Sequence, residues 1–186
     1  RYAESSIIRL NQLEEHLSEQ LIKENKNYRY NLIRKGATHT MYRTELQYLI
    51  DLHLVNKIER ADFASTENEL QISTHENQFR LYPIDSGILA SLLFSETADI
   101  TDETEEESNS TSSDKLYQLL SETYLLQTLV EKSYNPVFWE SGSLAKIDFL
   151  SIFDNSIMPI EIKYQENKKS KSLHVFKQKH PVISNM

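Results

Sequence analysis

Asp148, Glu161 and Lys163 are the residues of this chain best suited to chemistry, set as Ile147-Asp148-Phe149-Leu150 and Pro159-Ile160-Glu161-Ile162-Lys163 on either side of a short turn. Two acids and a lysine so arranged can hold a magnesium ion against a phosphodiester. Mg2+ takes oxygen ligands and keeps waters that can act as nucleophile. An ammonium group beside it can orient that water, or neutralise charge growing on the phosphate. The bland alternative is a cross-strand ion pair on a solvated face, because Glu-Ile-Lys is a common strand tripeptide.

The elements that would position these groups can be read from parity. Ile147 to Phe153 and Ile157 to Tyr164 are rich in β-branched and aromatic residues and are separated by Asp154-Asn155-Ser156, which predicts a hairpin. Alternation places Glu161 and Lys163 on one face, and Asp148 joins them if the pairing centres between Asp154 and Asn155. In that register Ile147, Phe149, Phe153, Met158, Ile160 and Ile162 form an apolar face, and Leu150 and Ile152 share the other with the charged residues. Opposed carboxylates repel unless a cation lies between them.

A third acid belongs with these. The run from Lys115 to Val130 has apolar residues at helical spacing, and Glu122 follows Leu119 by three and precedes Leu126 by four, on the buried stripe. A carboxylate there must be paired or bind a cation, unless it sits at the helix edge and reaches solvent.

Glu on a helix, then Asp, then Glu-x-Lys on a hairpin resembles the PD-(D/E)xK nuclease core. The wider chain resembles the C-terminal domain of unknown function found behind the ATPase core of bacterial and archaeal AAA-type ATPases. The stretches that carry this likeness are Glu24 to Tyr30 with Arg34-Lys-Gly-Ala37, Phe79 to Leu89, Ser121 to Tyr124, Phe138 to Ser141, Ala145 to Phe149, and Pro159 to Lys163 followed by Lys171-Ser-Leu173. Two positions depart from the family pattern: Lys146 stands where a Glu is usual, and Thr123 where an Asn follows the helix Glu. The resemblance implies a restriction-endonuclease-like fold in which Asp148 and Glu161 bind Mg2+, Glu122 supports a ligand or second metal, and Lys163 assists the water. Such folds also serve roles without cleavage.

Composition sets bounds on the rest. With 186 residues and 39% hydrophobic content, the chain can bury one sizeable core or two small ones. There is no cysteine, no signal peptide and no apolar run that could cross a bilayer, so a reducing cytoplasm is expected and no membrane partner. The six histidines show no paired ligand spacing, against a zinc site. Glu96 to Asp114 holds eight acids and no base, which equals the net charge of −8 and reads as a solvated, mobile insertion over 96–114. An acidic pI therefore says little against nucleic acid.

Basic residues gather twice. Six lie from Lys23 to Arg43, interleaved with Tyr28, Tyr30 and Tyr42, and six from Lys163 to Lys179. Arg34, Lys35, Arg43, Lys168, Lys169 and Lys171 are the candidate phosphate contacts, the alternative being a solvated basic face. Ile7, Leu10, Leu13, Leu17 and Leu21 predict an amphipathic helix from about Ser6 to Lys23. Gly36 marks a turn, Thr40 can cap a second helix through Tyr42, Leu46, Leu49 and Ile50, and a strand follows from Leu54; further on, Asp85 can cap a helix whose packed face is Ile88, Leu89, Leu92 and Leu93, and a last helix is expected from Ser170 to Lys179. Helix, turn, helix and strand resemble a winged helix whose recognition helix would expose Arg43, Gln47 and Tyr48. The alternative, favoured by the acidic face of Glu14, Glu15 and Glu19, is a packing unit that docks an ATPase core.

No phosphate-binding glycine loop is present, so the chain is not itself the ATPase and binds no ATP. It begins at Arg1 without methionine, as expected of a fragment. The expected architecture is α/β: a helical winged-helix-like region over 1–62 and a PD-(D/E)xK nuclease-like domain over 63–186. The expected function is DNA binding beside an AAA-type ATPase core of the same polypeptide, with Mg2+-dependent phosphodiester hydrolysis if the site is active. The alternative is a noncatalytic module that recognises DNA or protein and couples that event to the ATPase. Self-association is left open.

Overall fold

The leucines spaced at helical intervals fold as α1 (Glu4–Ile22), with Leu13, Leu17 and Leu21 buried along one stripe. The computed structural model describes residues 4–23, 25–66, 69–97, 109–142, 144–154, 156–163 and 170–181. Among these the chain continues as α2 (Tyr30–Ile33), α3 (His39–Asp51), β1 (Val55–Thr66), β2 (Glu69–Pro83), α4 (Ser86–Thr97), α5 (Asn109–Glu131), β3 (Val137–Ser141), β4 (Ala145–Phe153), β5 (Ser156–Ile160) and α6 (Lys171–Lys179). It is a mixed α+β protein. No described helix is long and apolar enough to cross a membrane. Two compact units divide the chain: Arg1–Lys57 with Arg80–Thr123, and Ile58–Phe79 with Tyr124–Met186.

In the first unit, α1 and α3 are joined by side chains as well as by leucines. Arg9 Nε donates to Glu45 Oε1 at 2.8 Å and the Tyr42 hydroxyl donates to Gln12 Oε1 at 2.7 Å. Burial is the largest single influence and would raise the Glu45 carboxyl, but hydrogen bonds from Arg9, the backbone and Ser6, together with the Arg9 charge, hold the group below its ordinary value. Gly36 turns with φ of +80°, a region that glycine enters without a Cβ clash. Thr38 occupies the N-cap position of α3 and makes no side-chain cap bond, so the cap expected of Thr40 is not made: Thr40 lies inside the first turn. The helix ends in a Schellman motif, with Leu54 N–H on Leu49 O and His53 N–H on Ile50 O, both at 2.9 Å. Asp85 does cap α4, its Oδ1 accepting from Ile88 N–H at 2.8 Å. Of the apolar face expected on that helix, Leu89 and Leu93 are buried while Ile88 is exposed.

The sheet has the order β2-β1-β3-β4-β5, with β1 parallel to β3 and β3, β4 and β5 antiparallel in turn. Pro159 has no N–H to offer a ladder, and its strand β5 lies at the sheet edge, where that is tolerated. The turn between β4 and β5 enters the left-handed region at Asp154, φ +47°, which Asp tolerates better than most residues. The helix α5 begins at Asn109, inside the stretch read as an acidic insertion; residues 98–108 lie outside the described residues.

One irregularity changes which side chains share a face. Val137 pairs with Leu150 but Trp139 pairs with Ile147, so two steps along β3 face three along β4. An extra residue in one strand is a β-bulge, and it resets the alternation beyond it. Ile147 and Leu150, of opposite parity, accordingly enter one core with Trp139, Ala145, Ile157 and Phe176. Simple alternation puts Leu150 on the charged face and Met158 on the apolar one; in the fold Leu150 is buried and Met158 is half exposed.

Candidate functional site

The register between β4 and β5 is the one predicted from parity: Phe149 pairs with Ile160 and Phe153 with Ser156. Extending it by one residue sets Asp148 across from Glu161. The ladder stops at Ile160, earlier than expected, and Glu161 to Lys163 continue without strand pairing. Asp148 contributes to that ending, because its Oδ2 accepts from Ile162 N–H at 2.9 Å, where a backbone carbonyl would otherwise serve.

Glu161 and Lys163 do meet. Lys163 Nζ lies 3.3 Å from Glu161 Oε1, with side-chain exposures of 27% and 13%. The other carboxylate oxygen of Glu161 accepts from Ser170 Oγ, and Ser170 in turn accepts from Leu173 N–H at 3.0 Å as the N-cap of α6. Glu161 thus ties the end of β5 to the start of α6. The sequence places a helix start at Ser170, yet nothing local shows that its hydroxyl reaches Glu161. Ser170→Ala removes both bonds and is expected to lower stability by about 1 kcal/mol, with faster amide exchange in the first turn of α6 as the check.

Glu122 lies in the other unit, in α5, and its side chain is fully buried. Its place on the apolar stripe predicts burial, and burial predicts a cation. The cation present is Lys26, whose Nζ reaches the two carboxylate oxygens at 2.6 and 2.5 Å and whose own side chain is 16% exposed. The Tyr82 hydroxyl at 3.3 Å and Gln118 Nε2 at 3.2 Å also donate to Glu122. Lys26 is the neighbour of Glu122 that sequence reasoning missed. Its only signal is membership of the Glu24 to Tyr30 stretch.

Each of the three carboxylates accepts from protein donors. Among the described residues no group of three or more Asp, Glu or His is disposed to hold a metal ion.

Arg34 and Lys35 are exposed beyond α2, and Arg43 is exposed on α3, at the edge of the stripe that buries Tyr42 and Leu46. Arg34 Nη2 lies 3.9 Å from Met41 Sδ. Gln47 is exposed and donates to Asp51 at 2.7 Å. The interleaved tyrosines turn inward: Tyr28 and Tyr42 are buried, and Tyr30 stacks on Tyr42 with centroids 5.8 Å apart. Lys171 is exposed at the start of α6, while Lys168 and Lys169 lie outside the described residues.

No curated protein and no solved structure matches this chain. The family described as Domain of unknown function (DUF4143) matches residues 118–185, the stretch that carries Glu122, Asp148, Glu161, Lys163 and α6.

Proposed function

We propose that this chain is a noncatalytic DNA-recognition module with a PD-(D/E)xK-like hairpin, acting beside an AAA-type ATPase core of the same polypeptide. The observation that carries this reading is the internal neutralisation of its acids. Glu122 is held by an ammonium group, a phenol and an amide, and Glu161 by Lys163 and Ser170. A hydrolytic centre needs carboxylates available to an ion. Cations suited to phosphate are instead exposed at Arg34, Lys35 and Arg43, around the turn between two helices, as in a helix-turn-helix that rests on the DNA backbone. The ATPase part of the proposal rests on the sequence resemblance alone.

The test pairs binding with cleavage. Duplex DNA titrated by fluorescence anisotropy should bind with strong salt dependence, and Arg34→Ala/Lys35→Ala/Arg43→Ala should lower affinity and flatten the salt slope by about one for each phosphate no longer neutralised. Supercoiled plasmid incubated with Mg2+ or Mn2+ should stay intact. Unchanged DNA affinity in the triple variant would instead favour docking of the ATPase core by this surface. The nuclease reading keeps one specific support, the register that sets Asp148 opposite Glu161. Plasmid cutting abolished by both Asp148→Ala and Lys163→Ala would establish it over the present proposal.

A further inference from the structure

His180 closes α6, donating its backbone N–H to Phe176 O at 3.0 Å. Its imidazole packs among three aromatic rings: Phe176 of α6 at 4.9 Å, Phe63 of β1 at 5.4 Å and Trp139 of β3 at 5.6 Å between centroids. The ring's Nε2 is buried and has no hydrogen-bond partner among the described residues. A neutral imidazole can leave one nitrogen unprotonated and dry at modest cost, but an imidazolium carries two N–H donors that both need an acceptor.

We infer that His180 is an acid-sensitive latch holding the C-terminal end of α6 on the sheet. The ring fits its aromatic surroundings only while neutral, and taking up a proton there forces it toward water. Because α6 begins at Ser170, which binds Glu161, a helix loosened at its far end also loosens the anchor of the candidate site.

The surrounding charges agree in sum. Burial comes first in lowering the His180 pKa below its ordinary value, and the neighbouring Lys179 adds to it. Asp62 of β1 acts the other way, yet Asp62 is itself engaged by His75 of β2 at 2.7 Å and by Arg60 at 3.1 Å. From β3 the adjacent charge is Glu140, whose side chain alternates to the opposite face from Trp139. From α6, Lys179 turns to Ser141, to which it donates. For a base with a lowered folded pKa, the unfolded chain takes the proton first as pH falls. Stability is therefore complete above about pH 6.5 and declines below it, toward the folded value.

Trp139 is the sole tryptophan, which makes the test specific. Urea unfolding followed by Trp139 fluorescence should be run from about pH 8 to about pH 5 on the wild type, His180→Phe and His75→Gln, with an NMR titration of His180 in the wild type. The expected result is a wild-type folding constant that falls by up to about tenfold per pH unit below about 6.5, a component missing from His180→Phe and retained by His75→Gln. The same pH dependence in wild type and His180→Phe would overturn the latch. So would an NMR pKa at or above about 6.5, which would mean that the rings stabilise the imidazolium by cation–π attraction. Should His180→Phe fail to fold, the NMR titration of the wild type decides alone.

Discussion

Lys26→Ala is expected to destabilise the protein by about 3–5 kcal/mol, because it strands a fully buried carboxylate without its counter-ion. The Tyr82 and Gln118 donors remain, but neutral hydrogen bonds at 3.3 and 3.2 Å do not replace an ammonium group at 2.5 Å. Urea denaturation at neutral pH measures the loss, and Glu122→Gln supplies the partner measurement. In the double variant Lys26→Met/Glu122→Leu both charges go, and the deficit should shrink toward zero or reverse, since a buried pair replaced by apolar groups is often neutral or stabilising. A loss below about 1 kcal/mol in Lys26→Ala would mean that water, rather than lysine, neutralises Glu122. The variant also separates two views of this acid. If Glu122 is a structural partner of Lys26, Mg2+ does not restore Lys26→Ala; if it is a latent metal ligand, millimolar Mg2+ recovers stability in a saturable way.

Phe176→Ala is the other large effect, expected at about 3–5 kcal/mol. Phe176 is the fully buried residue through which α6 enters the core of the second unit, in contact with Trp139 at 5.0 Å and Phe63 at 5.9 Å, both edge to face. Truncation leaves a cavity that rigid strands on the sheet side cannot close, and it removes two aromatic pairs worth about 0.5–1.5 kcal/mol each beyond area burial. Urea unfolding should show the loss, with a red-shifted Trp139 emission in the folded baseline as water reaches the indole. Phe176→Leu retains most of the volume and should lose markedly less. Equal losses in the two variants would point to the aromatic geometry, rather than to the cavity, as the main cause.

Local pattern was enough for much of the architecture. The long first helix, the helix carrying Glu122, the strand from Leu54 onward, the cap at Asp85 and the last helix after Ser170 all follow from spacing and capping chemistry within a few residues. The register of β4 on β5 follows as well, because a short turn leaves few ways to pair two strands with apolar faces. What failed was parity across the bulge opposite Val137 and Trp139. A bulge answers to the neighbouring strand, and β4 alone contains no sign of it. Interleaving with basic residues likewise says nothing of where Tyr28 and Tyr30 point: Tyr28 is buried and Tyr30 stacks on Tyr42, an arrangement that depends on packing between segments.

The candidate site divides along the same line. That Glu122 is buried, and that Glu161 and Lys163 lie near each other, is written in periods of 3.6 and 2 residues. Which cation Glu122 meets is not. Lys26 stands 96 residues earlier in the chain, and no pattern of short range distinguishes it from the other lysines of its cluster. Ser170 is similarly fixed on Glu161 by the return of α6 to the sheet. Helix and strand arise from interactions between neighbours in sequence, whereas neutralising a buried charge depends on whichever group the packed chain brings within hydrogen-bond reach. A group of acids able to hold a metal and a group of acids already answered by the protein's own donors look alike in one dimension; they differ only once distant segments have been folded together.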